Sequence, residues 1–187
     1  MYNRFHSDFF NGAEVSLFEM LSARETRVQN QWKLLNSREN TTLISATMNI
    51  PGPVKTNDVL ENVFKLMIKV ITHEVQDQPI YSTFYNKLKT GSEFYLLSAL
   101  SPKDVKERLV KIEENHPFGR LFDLDVLFLT EEGLKSVSRV DLKLPTRRCL
   151  VCHLDAKDCG RTRRHDVSEL QKAIMNIINE GRDLLHG

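Results

Sequence analysis

Arg120-Leu-Phe-Asp-Leu-Asp-Val-Leu-Phe-Leu129 is an apolar run broken twice by aspartate, and its reading decides the fold. Side chains along a strand point alternately to opposite faces, so Phe122, Leu124, Val126 and Phe128 share one face and Asp123 and Asp125 the other. Two carboxylates two residues apart stand roughly 7 Å apart along a strand. That separation suits one hard cation, or a pair bridged by phosphate, and Mg²⁺ held by a few carboxylates plus substrate phosphates fits it. The plainer alternative is that both acids lie on a solvated strand face. An open face rarely carries Leu121, Leu127 and Leu129 beside its acids, which favours the metal reading.

Upstream of this strand the pattern alternates between helix and strand. Val15 to Val28, extended through Trp32 to Leu35, reads as an amphipathic helix with Leu17, Leu21 and Val28 as its apolar positions. Leu43 to Ile50 is β-rich and stops at Pro51-Gly52-Pro53. Thr56 or Asn57 can cap a helix whose positions Val59, Val63, Leu66, Met67, Val70 and Ile71 keep a helical period. Pro79 to Tyr85 and Phe94 to Leu100 read as strands joined around Gly91-Ser92, and Ser101-Pro102-Lys103-Asp104 opens a helix that should end before Pro117. The order β-α-β-β-α-β predicts an α+β fold, a split-βαβ (ferredoxin-like) antiparallel sheet of four strands with helices on one face. In that topology the last strand lies beside the first, so Lys55, after Pro51-Gly52-Pro53, should project near the acids as a phosphate ligand.

Beyond the strand, all three cysteines fall between Cys149 and Cys159, in a stretch rich in arginine. From Arg139 to His165 there are eight Lys/Arg against three Asp, within a chain of formal net charge +1. Such a patch focuses the field on a polyanion. Tetrahedral Zn²⁺ accepts three thiolates and an imidazole, so Cys149, Cys152 and Cys159 with His153 or His165 offer a Cys3His set, His165 being the fourth ligand expected. Small buried thiols without a metal are the plainer alternative. Arg147 and Arg148 precede Cys149, and Arg161, Arg163 and Arg164 follow Cys159; gathered by the cysteines, they suit bidentate binding of a di- or triphosphate. A final amphipathic helix is expected from about Ser168 to Leu185.

Bulk properties narrow the class. The 187 residues fit one domain over 1–187, with an α+β core over 15–135 and the basic Cys-containing segment plus helix over 139–187. Hydrophobic content of 41% and charged content of 27% are those of a soluble globular protein. No apolar run approaches a membrane span, no secretory signal is read at the N-terminus, and near-neutral charge makes bulk nucleic-acid coating an unexpected role. Thiols spaced this way suit a reducing cytoplasm.

Three stretches carry a resemblance: Ser45-Ala-Thr-Met-Asn-Ile-Pro-Gly-Pro-Val-Lys55, His116-Pro-Phe-Gly-Arg-Leu-Phe-Asp-Leu-Asp-Val126, and Leu144-Pro-Thr-Arg-Arg-Cys-Leu-Val-Cys152 followed by Cys159-Gly-Arg-Thr-Arg-Arg-His165. In this order they closely resemble bacterial citrate lyase holo-acyl-carrier-protein synthases, also called apo-citrate lyase phosphoribosyl-dephospho-CoA transferases. The resemblance implies a nucleotidyltransferase-type reaction. It moves 2′-(5″-triphosphoribosyl)-3′-dephospho-CoA onto a serine of the citrate lyase acyl-carrier (γ) subunit and releases diphosphate. On that reading Asp123 and Asp125 hold Mg²⁺. Arg120, Lys55, Arg147, Arg148, Arg161 and Arg164 neutralise the phosphates, and a carboxylate or His116 takes the serine proton. Polymerase-β-type nucleotidyltransferases place a Gly-Ser shortly before their paired acids; here Gly91-Ser92 stands far upstream, across a whole expected helix. The competing readings are a zinc-knuckle module that binds RNA or protein, and a scaffold of the citrate lyase complex without turnover.

Overall fold

Capping chemistry sets the helix boundaries. In this computed structural model, which describes residues 9–185, helix α1 (Leu17–Asn36) begins at Ser16. The Ser16 hydroxyl accepts from the Glu19 amide, and the Glu19 carboxylate accepts from the Ser16 amide. Residues 1–8 and 186–187, included in the single-domain and N-terminal-signal expectations, lie outside the described residues. Strand β1 (Thr42–Met48) follows, then α2 (Asp58–Val75), capped by the Asn57 side chain at the Leu60 amide (2.8 Å). Strands β2 (Ile80–Asn86) and β3 (Glu93–Ser98) form a hairpin. Helix α3 (Pro102–Asn115) opens on Ser101 with proline in its first turn and stops where Pro117 forces His116 out of helical geometry. A 3-10 turn (Gly119–Leu121) leads into β4 (Phe122–Thr130).

The sheet runs β2-β3-β1-β4-β5, and every neighbouring pair is antiparallel. Each β-α-β connection is split by a strand, β3 between β1 and β2, and β1 between β3 and β4. The fifth strand, β5 (Gly133–Ser136), exceeds the four expected. It is a four-residue hairpin partner of β4, reached through Gly133 at a φ of 112°, and is too short to carry a readable alternation. It covers β4 only from Leu127 onward. Along the uncovered part, Lys106 of α3 donates to the Leu124 carbonyl (2.8 Å) and the Val137 amide to that of Val126 (3.0 Å).

Helices cover both faces of the sheet, a correction to the one-face expectation. On one face Ile44, Ala46, Leu124 and Val126 pack with Val63, Phe64 and Met67 of α2 and Val105 and Leu109 of α3. Ile174 and Ile178 of the last helix, α5 (Val167–Glu180), join the same core. On the other face Leu43 is registered between Leu97 and Leu127, and this apolar row is closed by Leu35 of α1. Each fully buried leucine stabilises by about 1.5–3 kcal/mol, enough to draw α1 onto that face.

After β5 the Arg139 guanidinium grips Glu113 (2.5 Å) and Glu114 (2.7 Å) of α3 and ties the returning chain to the core. The Cys-rich segment then contains a helix that the sequence reading did not assign, α4 (Ala156–Thr162), capped by Asp155. Helix α5 rests on the Pro51-Gly52-Pro53 loop, where Gln171 donates to the Pro51 carbonyl (3.2 Å). Among the described residues no helix is long and apolar enough to cross a membrane.

The α3–β4 turn tolerates only glycine at one position. A Cβ on Gly119 would stand 2.1 Å from the Ile112 carbonyl oxygen, whereas one on Gly160 of α4 meets nothing within 4 Å. Urea melts should show Gly119→Ala losing at least about 1–3 kcal/mol. Gly160→Ala, which removes a helical glycine, should be neutral or stabilising by up to about 1 kcal/mol.

Candidate active site

The α1 face of the sheet changes character along its strands. Three rows cross β3, β1 and β4: Leu97, Leu43 and Leu127; then Tyr95, Ser45 and Asp125; then Glu93, Thr47 and Asp123. Helix α1 matches them turn by turn. Leu35 covers the leucines, Gln31 donates to the Ser45 hydroxyl (3.0 Å), and Arg27 pairs with buried Glu93 (2.8 Å). The four-residue spacing of Arg27, Gln31 and Leu35 places all three on one helix face. Glu93 also accepts from the Tyr95 hydroxyl (2.6 Å).

Beyond the last row lies a polar cleft of about 130 Å³. Arg24 and Arg27 of α1 form one wall, Lys55 and the end of β1 another, and the Thr90-Gly91-Ser92 turn a third, with Asp123 on the sheet side. The Lys55 ammonium donates to the Ile50 carbonyl (2.7 Å), and burial, then the charge of Arg24, holds its pKa below the ordinary lysine value. Gly91 adopts a φ of 105°, and the Ser92 hydroxyl donates to buried Glu61 of α2 (2.7 Å), which fastens the turn. Glu61 accepts from the Tyr85 hydroxyl as well. The Gly-Ser pair, remote from the acids in sequence, thus lines the same cleft as Asp123.

Asp123 is paired with Arg147 (2.7 Å). The other guanidinium nitrogen of Arg147 donates to the Arg120 carbonyl (2.6 Å), and Arg120 donates in turn to the Arg148 carbonyl (2.6 Å). These reciprocal bonds clamp the Cys-rich segment to the start of β4. The Arg120 Nε is buried without a partner. Asp125 is reachable from solvent, yet crowding by the protein around its carboxyl, and next the charge of Asp123, pushes its pKa above the ordinary aspartate value.

The Cys-rich segment closes on itself. The Cys149 amide donates to the Leu154 carbonyl (2.6 Å) and the Ala156 amide to that of Arg147 (2.8 Å). Sulfur atoms of Cys149, Cys152 and Cys159 and an imidazole nitrogen of His165 lie within 4.8 Å of one another. His153, the alternative fourth ligand, is exposed at a φ of 59° outside this group. Burial pushes the Cys149 thiol up, but the Cys152 and Val151 amides and the neighbouring thiols together hold it below the ordinary value. Burial, then the neighbouring thiols, pushes Cys159 up to about 12.

The remaining expected residues stand elsewhere. Arg161 engages Asp158 (2.5 Å), Arg164 is exposed, and Arg148 donates to the His153 carbonyl (3.3 Å). His116 accepts from the Phe118 amide through Nδ1 (3.2 Å), and burial lowers its pKa. None of these four lines the cleft, and neither do Asp125, Arg120 and Arg147, which stand beside it at β4. Arg24 and Arg27, which do line it, were missed by the sequence reading. Their signal is the polar continuation of the Leu35 and Gln31 stripe toward the start of α1.

A family profile described as "Apo-citrate lyase phosphoribosyl-dephospho-CoA transferase" matches residues 15–181, which hold the whole of this site. The chain belongs to this family. A protein of Streptococcus pyogenes serotype M18 named "Probable apo-citrate lyase phosphoribosyl-dephospho-CoA transferase" is 40% identical over 171 residues, 91% of this chain and 89% of its own. One of the same name from Vibrio cholerae serotype O1 is 37% identical over 89% of this chain and 93% of its own. "Protein CitXG" of Leuconostoc mesenteroides subsp. cremoris is 33% identical over 92% of this chain but only 37% of its greater length. By its family the chain is a transferase.

The strained carboxylate gives a pH signature. Because the folded pKa of Asp125 is raised, its ionised form costs stability in full above the folded value and not at all below the unfolded one. In melts across pH, Asp125→Asn should raise the melting temperature at neutral pH. The gain should vanish below about pH 3.5, under the ordinary aspartate value.

Proposed function

We propose that the protein transfers the 2′-(5″-triphosphoribosyl)-3′-dephospho-CoA prosthetic group to a serine of the apo-citrate lyase acyl-carrier (γ) subunit, a nucleotidyltransfer that releases diphosphate. The observation that carries the reading is the cleft itself. It gathers Asp123, Arg24, Arg27 and Lys55 around one space, with the Lys55 pKa held down by burial and next by the charge of Arg24. Cations pressed together in this way leave a site that an oligophosphate relieves.

The serine oxygen attacks the α-phosphorus, the bond from that phosphorus to the bridging oxygen breaks, and diphosphate departs with the electron pair. The serine proton passes to solvent water as its oxygen attacks, since Asp123 and Asp125 are both assigned to a divalent cation. Lys55 and Arg24 bind the departing phosphates, and Arg147, which reaches the site through its pair with Asp123, adds positive charge at the start of β4. The carboxylates of Asp123 and Asp125, adjacent on one face beside the Ser45 and Thr47 hydroxyls, suit a hard divalent cation. These two would hold Mg²⁺, which when bound supplies charge neutralisation to the triphosphate.

The test is incubation with apo-carrier subunit, donor and Mg²⁺, followed by weighing the carrier by mass spectrometry. A mass gain equal to the phosphoribosyl-dephospho-CoA group is expected. Asp123→Ala, Asp125→Ala and Arg24→Ala should each lower kcat by roughly 10²–10³-fold while the fold is retained. No mass gain with the wild type would overturn the reading. Steeply salt-dependent binding of generic RNA in its place would favour the knuckle module.

A further inference from the structure

We propose that Cys149, Cys152, Cys159 and His165 bind one Zn²⁺ ion in a closed structural site. Its role is to fix the segment that delivers Arg147 to Asp123. Three features of the group point to a tetrahedral cation. The first is spacing: metal–sulfur bonds of about 2.3 Å set the sulfurs of a tetrahedral site about 3.8 Å apart. Here the Cys152 and Cys159 sulfurs are 3.4 Å apart, and all four ligand atoms fall within 4.8 Å.

The second is the orientation of His165, whose side chain is 11% exposed. Its Nε2 is buried with no hydrogen-bond partner, an arrangement that costs stability unless something accepts the lone pair. Its Nδ1 faces the Glu169 carboxylate at 3.7 Å. A carboxylate behind an imidazole is the arrangement that orients a metal-bound histidine and makes its other nitrogen a better donor. The third is the local backbone. The Val151 amide points at the Cys149 sulfur (3.5 Å), so the turn between the first two cysteines stabilises a thiolate before any ion arrives.

Binding exchanges the three thiol protons for the ion, so the site carries one net negative charge. With three thiolates and an imidazole all four positions belong to the protein, so the site has no opening for substrate and a structural role follows. That role is specific. The three cysteines and His165 span the loop after Arg148, α4 and the start of α5. Stapling them together fixes Arg147 and Arg148 against Arg120 at the base of β4.

The site is independent of the reaction proposed above, and its primary readout is metal content. Protein purified without chelator under reducing conditions should contain one zinc per chain by elemental analysis. Protein stripped of metal and given Co²⁺ should develop thiolate-to-cobalt charge-transfer and tetrahedral d–d absorption. Cys152→Ser and His165→Ala should lose both, and His153→Ala should keep both. Glu169→Gln, a positioning change that preserves a cap at Asp166, should weaken Zn²⁺ binding about 10–100-fold. Should the variants fail to fold, the cobalt spectrum of the wild type still decides. Absence of zinc with no uptake after reconstitution, an octahedral cobalt spectrum, or a Cys152–Cys159 disulfide in metal-free reduced preparations would overturn the proposal.

Discussion

The antiparallel register between β1 and β4 is the constraint on which the rest depends. It sets Thr47 opposite Asp123 and Ser45 opposite Asp125, and it puts both acids on the face that α1 covers. Because side chains alternate with a period of two, a slip of one residue would turn both carboxylates into the core of Ile44, Phe64 and Leu109. An unpaired carboxylate there is prohibitively costly, while the leucine row would be turned out to solvent. Burying Leu43, Leu97 and Leu127 therefore places the acids at the same time. Stability and site are specified by the same pairing.

From that register the cleft follows. β1 is central and paired on both sides, so its end is a rigid point from which the Pro51-Gly52-Pro53 loop carries Lys55 back toward Asp123. The β2–β3 turn reaches the same place because β3 is the other neighbour of β1. Helix α1 completes the enclosure from above, with a face that passes from leucine to glutamine to arginine as the strands beneath pass from leucine to serine to acid. The match in polarity, row by row, holds the helix in one axial position. A shift of one turn would set Arg27 over Tyr95 and Ser45 and leave Glu93 buried without its cationic partner.

Much of this was legible in the residues. The strand with paired acids, the capping signals at Ser101 and Asn57, the strand order and the approach of Lys55 all rest on local periodicity or on topology, and both are written along the chain. What was not legible depends on which elements meet across the sheet. A four-stranded core with helices on one face was expected because nothing in the α1 stripe says which surface it will cover; the leucine row on the far face decided that. Arg24 and Arg27 escaped for the same reason, since an arginine on a helix reads as solvated until the opposing acid is known. The arginines after Cys159 were expected to converge on the phosphate site. Helix α4 instead pairs Arg161 with Asp158, because a turn-spaced acid within its own helix is nearer than any distant ligand.

Arg147 gives the arrangement its internal logic. Its guanidinium neutralises Asp123, so it occupies a carboxylate that, on the proposed reading, a divalent cation would also need. The two cations cannot share that oxygen without strong repulsion. On that reading an oligophosphate would give Arg147 a new anionic partner in place of Asp123, so that no charge is left unpaired. Such an exchange works only if the backbone carrying Arg147 stays in place while its side chain swings. The two carbonyl bonds, from Arg147 to Arg120 and from Arg120 to Arg148, hold that backbone at the base of β4. On the proposed zinc reading, the cysteine and histidine side chains gathered beyond Arg148 would keep the segment folded around those bonds.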